Sequence, residues 1–271
     1  MDVEKHRSEV PAVEAAIQIL EYLSRYKNKF SPLSDISKNL SINKSTCYRI
    51  LKALEDYHFV FFDAETKQYR LGSYLIVLGA RASEFTNYLE VTKPVLRWLC
   101  TESEQTSVLL EPISDIKLMY VAKEEANLPI RVTVSVGQQF PLTSASFGKC
   151  YLAFLDESEA EKLIKKIGFI QFTSKSITNG QQFKDELYKV RLKGYAQSFE
   201  EHTPGVFGIA APIFDPHSKV ILVIGCVGLS HQLDSMSMNI CAERVTEAAK
   251  KITELLGGRM PANLQGQPSK S

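Results

Sequence analysis

The spacing of apolar residues changes along this chain and predicts two kinds of structure. Up to about residue 105, apolar positions recur every three or four residues, which is typical of amphipathic helices, apart from one short β-prone stretch. Beyond it, apolar runs bounded by polar turns predict β-strands, with helical patterns between them. This order favours an α+β fold in two domains, with an antiparallel sheet in the second.

The first helix is predicted to begin at Pro11, because a proline ring suits the first turn of a helix. Its apolar face consists of Val13, Ile17, Leu20 and Leu23. Two short helical patterns follow, from Leu33 to Leu40 and from Lys44 to about Tyr57. Asn43 stands where an N-cap residue is expected, since its side-chain oxygen can accept a hydrogen bond from a free amide of the next helix.

The helix after Asn43 has two chemically different faces. One is apolar and carries Cys47, Ile50, Leu51 and Leu54. The other has basic and hydroxyl side chains, with no acidic residue before Glu55. The DNA major groove admits one helix, and in a helix-turn-helix the start of the second helix meets the base edges. We therefore predict DNA contacts from Asn43, Lys44, Ser45, Thr46, Tyr48, Arg49 and Lys52. A small helical domain with a solvated cationic face is the alternative.

A β-hairpin is predicted directly after this helix. The β-prone run Phe59–Phe62 is followed by the polar turn DAETKQ, and Tyr69–Leu71 brings the chain back. Such a hairpin is the wing of a winged helix-turn-helix. Its Lys67 and Arg70 are predicted to reach DNA phosphates.

These motifs resemble a known family. The segment LSDISKNLSINKSTCYRILKALEDYHFVFFDAETKQYRLG resembles the winged helix-turn-helix of the IclR family of bacterial transcriptional regulators, with its KST-x-YR core and terminal Y-R-L-G. Further on, PLTSASFGKCYLAFL and GYAQSFEEHTPGVFGIAAPIFD resemble the effector domain of that family, which has a GAF-like fold. The resemblance covers roughly Val10 to Gly257.

The resemblance implies a domain organisation. Residues 10–72 form the DNA-binding domain, 73–87 a linker helix and 88–257 the GAF-like effector-binding domain. The linker carries an apolar stripe of Leu75, Leu78 and Ala82, and DNA-binding domains of the family pair as dimers. Residues 258–271 are rich in Gly, Pro and polar residues and are predicted to be a disordered tail.

The second half is predicted to contain alternating groups of strands and helices. A helix from about Tyr88 precedes them. The predicted strands are 106–113, 117–122, 130–136, 195–198, 206–213 and 220–229. The predicted helices are 147–155, 157–164, 181–192 and 236–256. A curved sheet flanked by helices leaves a concave face suited to a small ligand.

The resemblance also implies where an effector would bind. In the family a small organic ligand, often a carboxylate, lies between the GK helix start and the strands near the AAP run. An acid, a polar residue and two serines that commonly line that pocket are replaced here, by Ser198, Gly208, Gly225 and Val227. The predicted effector-binding residues are Thr143, Ser144, Ser146, Phe147, Gly148, Ser198, Gly208, Gly225 and Val227. Because a buried carboxylate needs fixed donors, an apolar or aromatic ligand, or no ligand, fits this set better.

Composition and charge narrow the function classes. The 271 residues include 32 basic and 31 acidic ones, so DNA binding must depend on a local patch. No run of about 18 apolar residues predicts a membrane span, and the N-terminus MDVEKHRSEV has no apolar core typical of a secretory signal. Five scattered cysteines favour reduced thiols in the cytoplasm over a metal site. We predict no cofactor and no metal.

Three functional hypotheses remain open at this point. The first is a regulator that binds double-stranded DNA at a roughly palindromic operator, as a homodimer or homotetramer, under the control of a small organic effector. The second has the same architecture with a degenerate pocket. The third is an enzyme with a DNA-binding appendage, which is disfavoured because no G-x-S-x-G and no metal-ligand spacing occurs. Glu200 and Glu201 are predicted to be loop or surface acids.

Overall fold

The computed structural model describes residues 10–84, 87–232 and 234–264. The chain divides into two compact units, with the boundary between Asn87 and Tyr88. Within the described ranges, no helix is long and apolar enough to cross a membrane.

The first unit is a winged helix-turn-helix, as predicted. Its helices are α1 (Pro11–Ser24), α2 (Leu33–Asn39), α3 (Lys44–Asp56) and α4 (Tyr74–Glu84). Its strands are β1 (Ser31–Pro32), β2 (Val60–Asp63) and β3 (Gln68–Leu71). The strands form an antiparallel sheet in the order β1-β3-β2, with Phe61 opposite Arg70. The capped second helix and the hairpin that follows it are therefore confirmed.

The core of this unit corrects the predicted face of α1. Ile19, Tyr22 and Leu23 are buried, whereas Val13 and Ile17 are 55% and 53% exposed. Residues at i, i+3 and i+4 lie on one helical face, and here that face runs through Ile19 rather than Ile17. The apolar stripe on α3 is confirmed, because Cys47 and Leu51 are fully buried while Ile50 and Leu54 pack against the same cluster.

The turn between α2 and α3 is fixed by backbone geometry. Ser41 has a positive φ of 55°, which ends α2 in the left-handed conformation. The Ile42 amide then donates a hydrogen bond to the Ser37 carbonyl at 3.0 Å. This closes the end of α2 and lets the chain begin α3 at Lys44 after a very short connection.

The second unit contains one six-stranded sheet between two layers of helices. Its helices are α5 (Asn87–Ser103), α6 (Ala145–Ala153), α7 (Glu157–Ile167), α8 (Gly180–Lys193) and α9 (Ser235–Leu255). Its strands are β4 (Thr106–Ser114), β5 (Lys117–Glu124), β6 (Gln139–Pro141), β7 (Ala196–Phe199), β8 (Val206–Phe214) and β9 (Val220–Leu229). The order is β6-β5-β4-β9-β8-β7 and every neighbouring pair is antiparallel. The predicted antiparallel α+β architecture is confirmed.

Both faces of this sheet are covered, which explains its almost continuously apolar central strands. Val108 and Leu110 pack with α6, α7 and α8 on one face. Leu109, between them, packs with α5 and α9 on the other face. Because successive side chains of a strand point to opposite faces, two covered faces require apolar residues at nearly every position of β8 and β9.

The predicted strand at 130–136 was wrong. The segment alternates as expected, with Val132 and Val134 partly buried against the core. Its carbonyl groups accept hydrogen bonds from side chains instead: Thr106 Oγ1 donates to Val132 O at 2.6 Å and Lys123 Nζ to Val134 O at 2.7 Å. The alternation of apolar residues thus indicated the buried side of the segment correctly but not its secondary structure. The edge strand that pairs with β5 is β6 instead.

The beginning of the predicted disordered tail is folded. The Arg259 amide donates to the Asp215 carbonyl at 3.0 Å, and a 3₁₀ turn covers Ala262–Leu264. A Cβ on Gly258 would lie 1.9 Å from the Phe214 carbonyl oxygen, so only glycine permits this close approach to β8. The remainder of that prediction, residues 265–271, lies outside the described residues.

Candidate nucleic-acid interface and ligand cavity

The N-terminus of α3 is capped by Asn43, as predicted. Asn43 Oδ1 accepts hydrogen bonds from the Ser45 amide at 3.0 Å and from the Ser45 hydroxyl at 2.7 Å. This satisfies one of the free amides at the helix start, which otherwise carries partial positive charge. In this first turn, the side chains of Lys44, Ser45 and Thr46 are exposed, whereas Cys47 is buried.

The side chains predicted to contact DNA are all on the surface. On α3 these are Asn43, Lys44, Ser45, Thr46, Tyr48, Arg49 and Lys52. No carboxylate in the described part of the chain forms an ion pair with Lys44 or Arg49. Lys52 differs, because its Nζ lies 3.1 Å from Glu55 Oε2. Lys44 and Arg49 thus present their charge to a partner, whereas the charge of Lys52 is already balanced.

The wing places its two cations differently. Lys67 stands at the tip in the left-handed region, with φ 58°, next to a turn in which Asp63 Oδ1 accepts from the Glu65 and Thr66 amides. Arg70 lies on the outer face of β3, and its guanidinium is 4.2 Å from the centre of the Phe61 ring. Lys67 is free to reach outward, while Arg70 is held across the strand by a cation–π contact.

A cavity of about 190 Å³ lies in the second unit, between the start of α6 and the sheet. Of the nine residues predicted to bind an effector, the five that line it are Ser144, Phe147, Ser198, Gly208 and Val227. They come from α6, β7, β8 and β9. Antiparallel pairing brings the three strand residues together, since Gly208 lies opposite both Ser198 and Val227.

The other four predicted residues lie behind the cavity wall rather than on it. Thr143 Oγ1 donates to the Gly168 carbonyl at 2.8 Å, so its hydroxyl has a structural partner. A Cβ on Gly148 would lie 2.0 Å from the Leu142 carbonyl oxygen, and one on Gly225 would lie 2.0 Å from that of Ile209. These glycines permit close backbone packing. Ser146 is fully buried, one layer behind Gly208.

Most of the aromatic part of the lining was not predicted, because Phe147 is the one ring among the predicted effector-binding residues. Tyr120, Phe140 and Phe147 form a cluster with ring centres 5.3 to 6.0 Å apart. His202 adds a fourth ring, 6.4 Å from Phe140 and 4.4 Å from Phe172. The other residues that had not been predicted are Val132, Thr133, Val134, Gln138, Ala145, Thr203, Val206 and Phe207. Ala145, Thr203, Val206 and Phe207 lie within the two segments that resemble the family, whereas the other four lie outside them. For Val132 and Val134, the alternation of apolar residues was a usable signal.

The cavity lining has no charged side chain at neutral pH among the residues that the structure describes. Burial lowers the pKa of His202, which keeps its ring neutral. The hydroxyls of Ser144 and Ser146, at the start of α6, are buried and lack a hydrogen-bond partner. Ala145 between them has a positive φ of 52°, a strained conformation that tends to occur at functional sites.

Lys149 and Glu201 form a buried ion pair beside the cavity. Lys149 Nζ lies 2.6 Å from Glu201 Oε1, and the two side chains are 1% and 14% exposed. Desolvation raises the pKa of Glu201, while the Lys149 ammonium opposes that rise. Glu201 lies in a loop, as predicted, since β7 ends at Phe199, but it is buried rather than at the surface. Glu200, directly before it, has a positive φ of 56°.

No group of three or more His, Cys, Asp or Glu side chains within the described ranges could hold a metal ion. The described lining of the cavity offers hydrogen-bonding hydroxyls and aromatic surface.

Comparison with known proteins identifies both units. The model of the IclR helix-turn-helix domain matches residues 12–64, and that of the bacterial transcriptional regulator IclR C-terminal domain matches residues 81–254. The transcriptional repressor AllR of Escherichia coli K12 is 30% identical over 246 residues, which cover 91% of this chain and 90% of AllR.

Solved structures of other proteins support the same family assignment. The crystal structure of an IclR transcriptional regulator from Alicyclobacillus acidocaldarius superposes with a TM-score of 0.84 at 35% identity, covering 92% of this chain and 100% of that one. An IclR homolog from Microbacterium hydrocarbonoxydans, crystallised with 4-hydroxybenzoate, shares the fold with a TM-score of 0.77 at 18% identity, covering 90% and 98%. This chain belongs to the IclR family of bacterial transcriptional regulators.

Proposed function

We propose that the protein is a sequence-specific DNA-binding regulator whose operator affinity is controlled by a small neutral aromatic or apolar effector. The observation that carries the DNA part is the capped start of α3, where Lys44 and Arg49 are exposed and have no carboxylate partner within the described ranges. Arg and Lys can donate to the guanine acceptors in the major groove, and the helix start favours phosphate. Lys67 at the wing tip supplies a phosphate contact.

The operator is roughly palindromic and is bound by a homodimer or homotetramer. One recognition helix covers too few base pairs to select a site in a genome, whereas two related by a twofold axis read two half-sites. Apolar side chains are available for pairing on α4, where Ile76 is 75% and Leu78 40% exposed. The side chain of Ala82, the third member of the predicted stripe, lies outside the described residues.

The effector occupies the cavity of the second unit. A cavity of roughly 150 Å³ can hold benzene, so about 190 Å³ accommodates one ring with a small substituent. The rings of Tyr120, Phe140 and Phe147 provide an apolar surface, and the Ser144 hydroxyl is available to form a hydrogen bond with the ligand. Because none of the described residues that line the cavity is a lysine or an arginine, burial of a carboxylate would be poorly compensated.

These proposals assign a role to each part of the chain. Residues 10–72 bind DNA, 73–87 link the two domains and 88–257 bind the effector. A chain of this build acts inside the cell, where DNA is available.

The DNA part is tested by footprinting next to the protein's own gene and by binding assays on the protected site. Arg49→Ala and Lys44→Ala should each cost about 1–3 kcal/mol and relax specificity at one base position. Lys67→Ala should weaken all sequences equally and lower the salt slope by about one. Lys175→Ala, a surface variant in the other unit, is the control. Unchanged affinity in all three test variants would rule out this interface.

The effector part is tested with benzamide and benzoate, which have nearly the same shape but differ in charge. In calorimetry on the full chain, benzamide should bind at least about tenfold more tightly than benzoate, a difference in binding free energy of about 1.4 kcal/mol. Tighter binding of benzoate would mean that the amides at the start of α6 suffice for an anion. Thermal unfolding over a wider panel of single-ring compounds extends the search, because a ligand of the native state raises the melting temperature. If no compound does so, the regulator works without an effector of this class.

A further inference from the structure

One wall of the cavity is not part of the sheet or of a helix. Residues 127–136, called the front segment here, contribute Val132, Thr133 and Val134 to the lining. Among the described residues, no backbone hydrogen bond joins 127–134 to a strand. The segment therefore depends on side chains for its position.

These side chains converge on a single carboxylate. Glu125 Oε1 accepts from Lys123 Nζ and from Thr133 Oγ1, both at 2.6 Å. Glu125 Oε2 accepts from Arg131 Nε at 3.0 Å and from Arg131 Nη2 at 2.9 Å. All four donors are thus bound to one group, which sits between β5 and the front segment. Two of these residues, Arg131 and Thr133, belong to the segment itself.

Further bonds tie the segment to the sheet at the same place. Lys123 also donates to the Val134 carbonyl, and Thr106 donates to that of Val132. Isolated surface ion pairs contribute little, but a fork-shaped Arg–carboxylate pair within a network is the exception. The donors around Glu125 lower its pKa to about 2, so the carboxylate is charged at any physiological pH.

We infer that Glu125 is a positioning residue that holds the front segment as a movable wall of the cavity, so that loosening its contacts opens the route by which a ligand enters and leaves. The inference rests on the proposal that the cavity takes a ligand. The sheet and α6 form the fixed walls, because their backbones are paired. The front segment can move without breaking any backbone pairing of the sheet.

The experiment measures how often the cavity opens in the full, ligand-free chain. Ser198→Cys places a thiol on the lining, and its modification by methyl methanethiosulfonate is followed at that position by peptide mass spectrometry. Cys150, which is fully buried in the core, reports global unfolding in the same sample. Glu125→Gln keeps the size of the side chain but removes its charge. Thr106→Val, with almost no change of shape, removes the tether to the Val132 carbonyl and the hydrogen bond that Thr106 accepts from the Ala126 amide.

Each variant should raise the labelling rate at position 198 by about 5–30-fold, because the rate follows the open population. Weakening the charged hydrogen bonds of Glu125, or losing the two neutral ones of Thr106, changes that population by about this factor. Labelling of Cys150 should not change. Glu161→Gln, which breaks the exposed 2.6 Å pair with Lys184, is the matched control and should leave both rates unaltered.

Rates at position 198 within twofold of that control would overturn the inference. A rise that Cys150 shares would also overturn it, since Glu125 would then support the whole unit rather than the wall. Neither result needs an effector or DNA, so failure here leaves the regulator proposal untouched. Failure of operator binding in turn says nothing about the movement of the wall.

Discussion

Gly225 offers a sharp test of how the cavity is built. It lies on β9, in the middle of the sheet, and pairs with Ala210 of β8. A Cβ at this position would lie 2.0 Å from the Ile209 carbonyl oxygen, 2.8 Å from a ring carbon of Phe147 and 3.0 Å from the Ala210 Cα. Two of these three neighbours are backbone atoms of the paired strand, which cannot turn away.

The expected cost of Gly225→Ala follows from that geometry. Overpacking a core usually costs about 1–3 kcal/mol, and a clash with backbone belongs at the upper end of that range because the strands must separate. For a unit of this size, 1 kcal/mol lowers the melting temperature by about 2–4 °C. We therefore expect Gly225→Ala to melt about 6–12 °C lower, from about 3 kcal/mol. Gly225→Ser would be at least as destabilising, so a serine cannot be added here to recreate the family's more polar pocket.

Gly208 is the matched control, one strand away on β8. A Cβ there would meet Ser146 Oγ at 2.6 Å and Ser198 Oγ at 3.3 Å, and both atoms end short side chains that can rotate. Ser146 Oγ has no hydrogen bond to lose. Gly208→Ala should therefore cost about 1 kcal/mol, or about 2–4 °C.

Scanning calorimetry of the three full-length proteins makes the comparison. The packing argument is refuted if Gly225→Ala melts within about 3 °C of the wild type, or if Gly208→Ala is the more destabilising change. Because Gly208 lines the cavity, its variant should also weaken single-ring ligands.

Three further outcomes follow from the same contacts. Asn43→Ala should destabilise the first unit by about 1 kcal/mol in urea titrations, and Asn43→Ser should restore most of it. Glu201→Ala should lower the free energy of unfolding by about 3–5 kcal/mol, because it leaves the Lys149 ammonium buried alone. The double variant Lys149→Met with Glu201→Leu should recover most of that loss. Equal destabilisation by the single and the double variant would contradict a buried ion pair. Burial lowers the pKa of His202, so the native state binds fewer protons there than the unfolded state does. The wild type should therefore lose stability relative to His202→Gln as the pH falls from about 7 to 5.5. His217→Gln, at an exposed site, is the control, and burial is excluded as the cause if it changes the pH dependence of stability as much as His202→Gln does.

The DNA-binding half could be predicted almost completely from the sequence. Short-range signals define it: a cap at Asn43, a helical stripe through Cys47 and Leu51, and a hairpin with a polar turn. Each depends on residues within a few positions of one another, which is the range at which sequence patterns are informative. The error on α1 arose because Val13 and Ile17 are apolar but exposed, and an apolar residue alone does not say which face is buried.

The cavity was predictable only in part, because its lining is assembled over long distances. Tyr120, Phe140 and His202 come from β5, β6 and the connection between β7 and β8. Whether these side chains lie close together depends on the order of strands in the sheet, and a one-residue error in register would turn each strand side chain to the other face. Most of the front segment was predicted as a strand, because its alternation is strand-like although side chains hold it instead of a partner strand.

The motifs that identify the family describe the frame of the cavity more than its contents. Gly148 acts by allowing backbone to approach backbone at Leu142, and Lys149 is neutralised inside the protein by Glu201. These features would be needed for any ligand. The groups that line the cavity are rings and hydroxyls, such as those of Tyr120, Phe140 and Ser198. Relatives can therefore keep the same frame while binding different molecules, and ligand choice in this chain has to be argued from its lining.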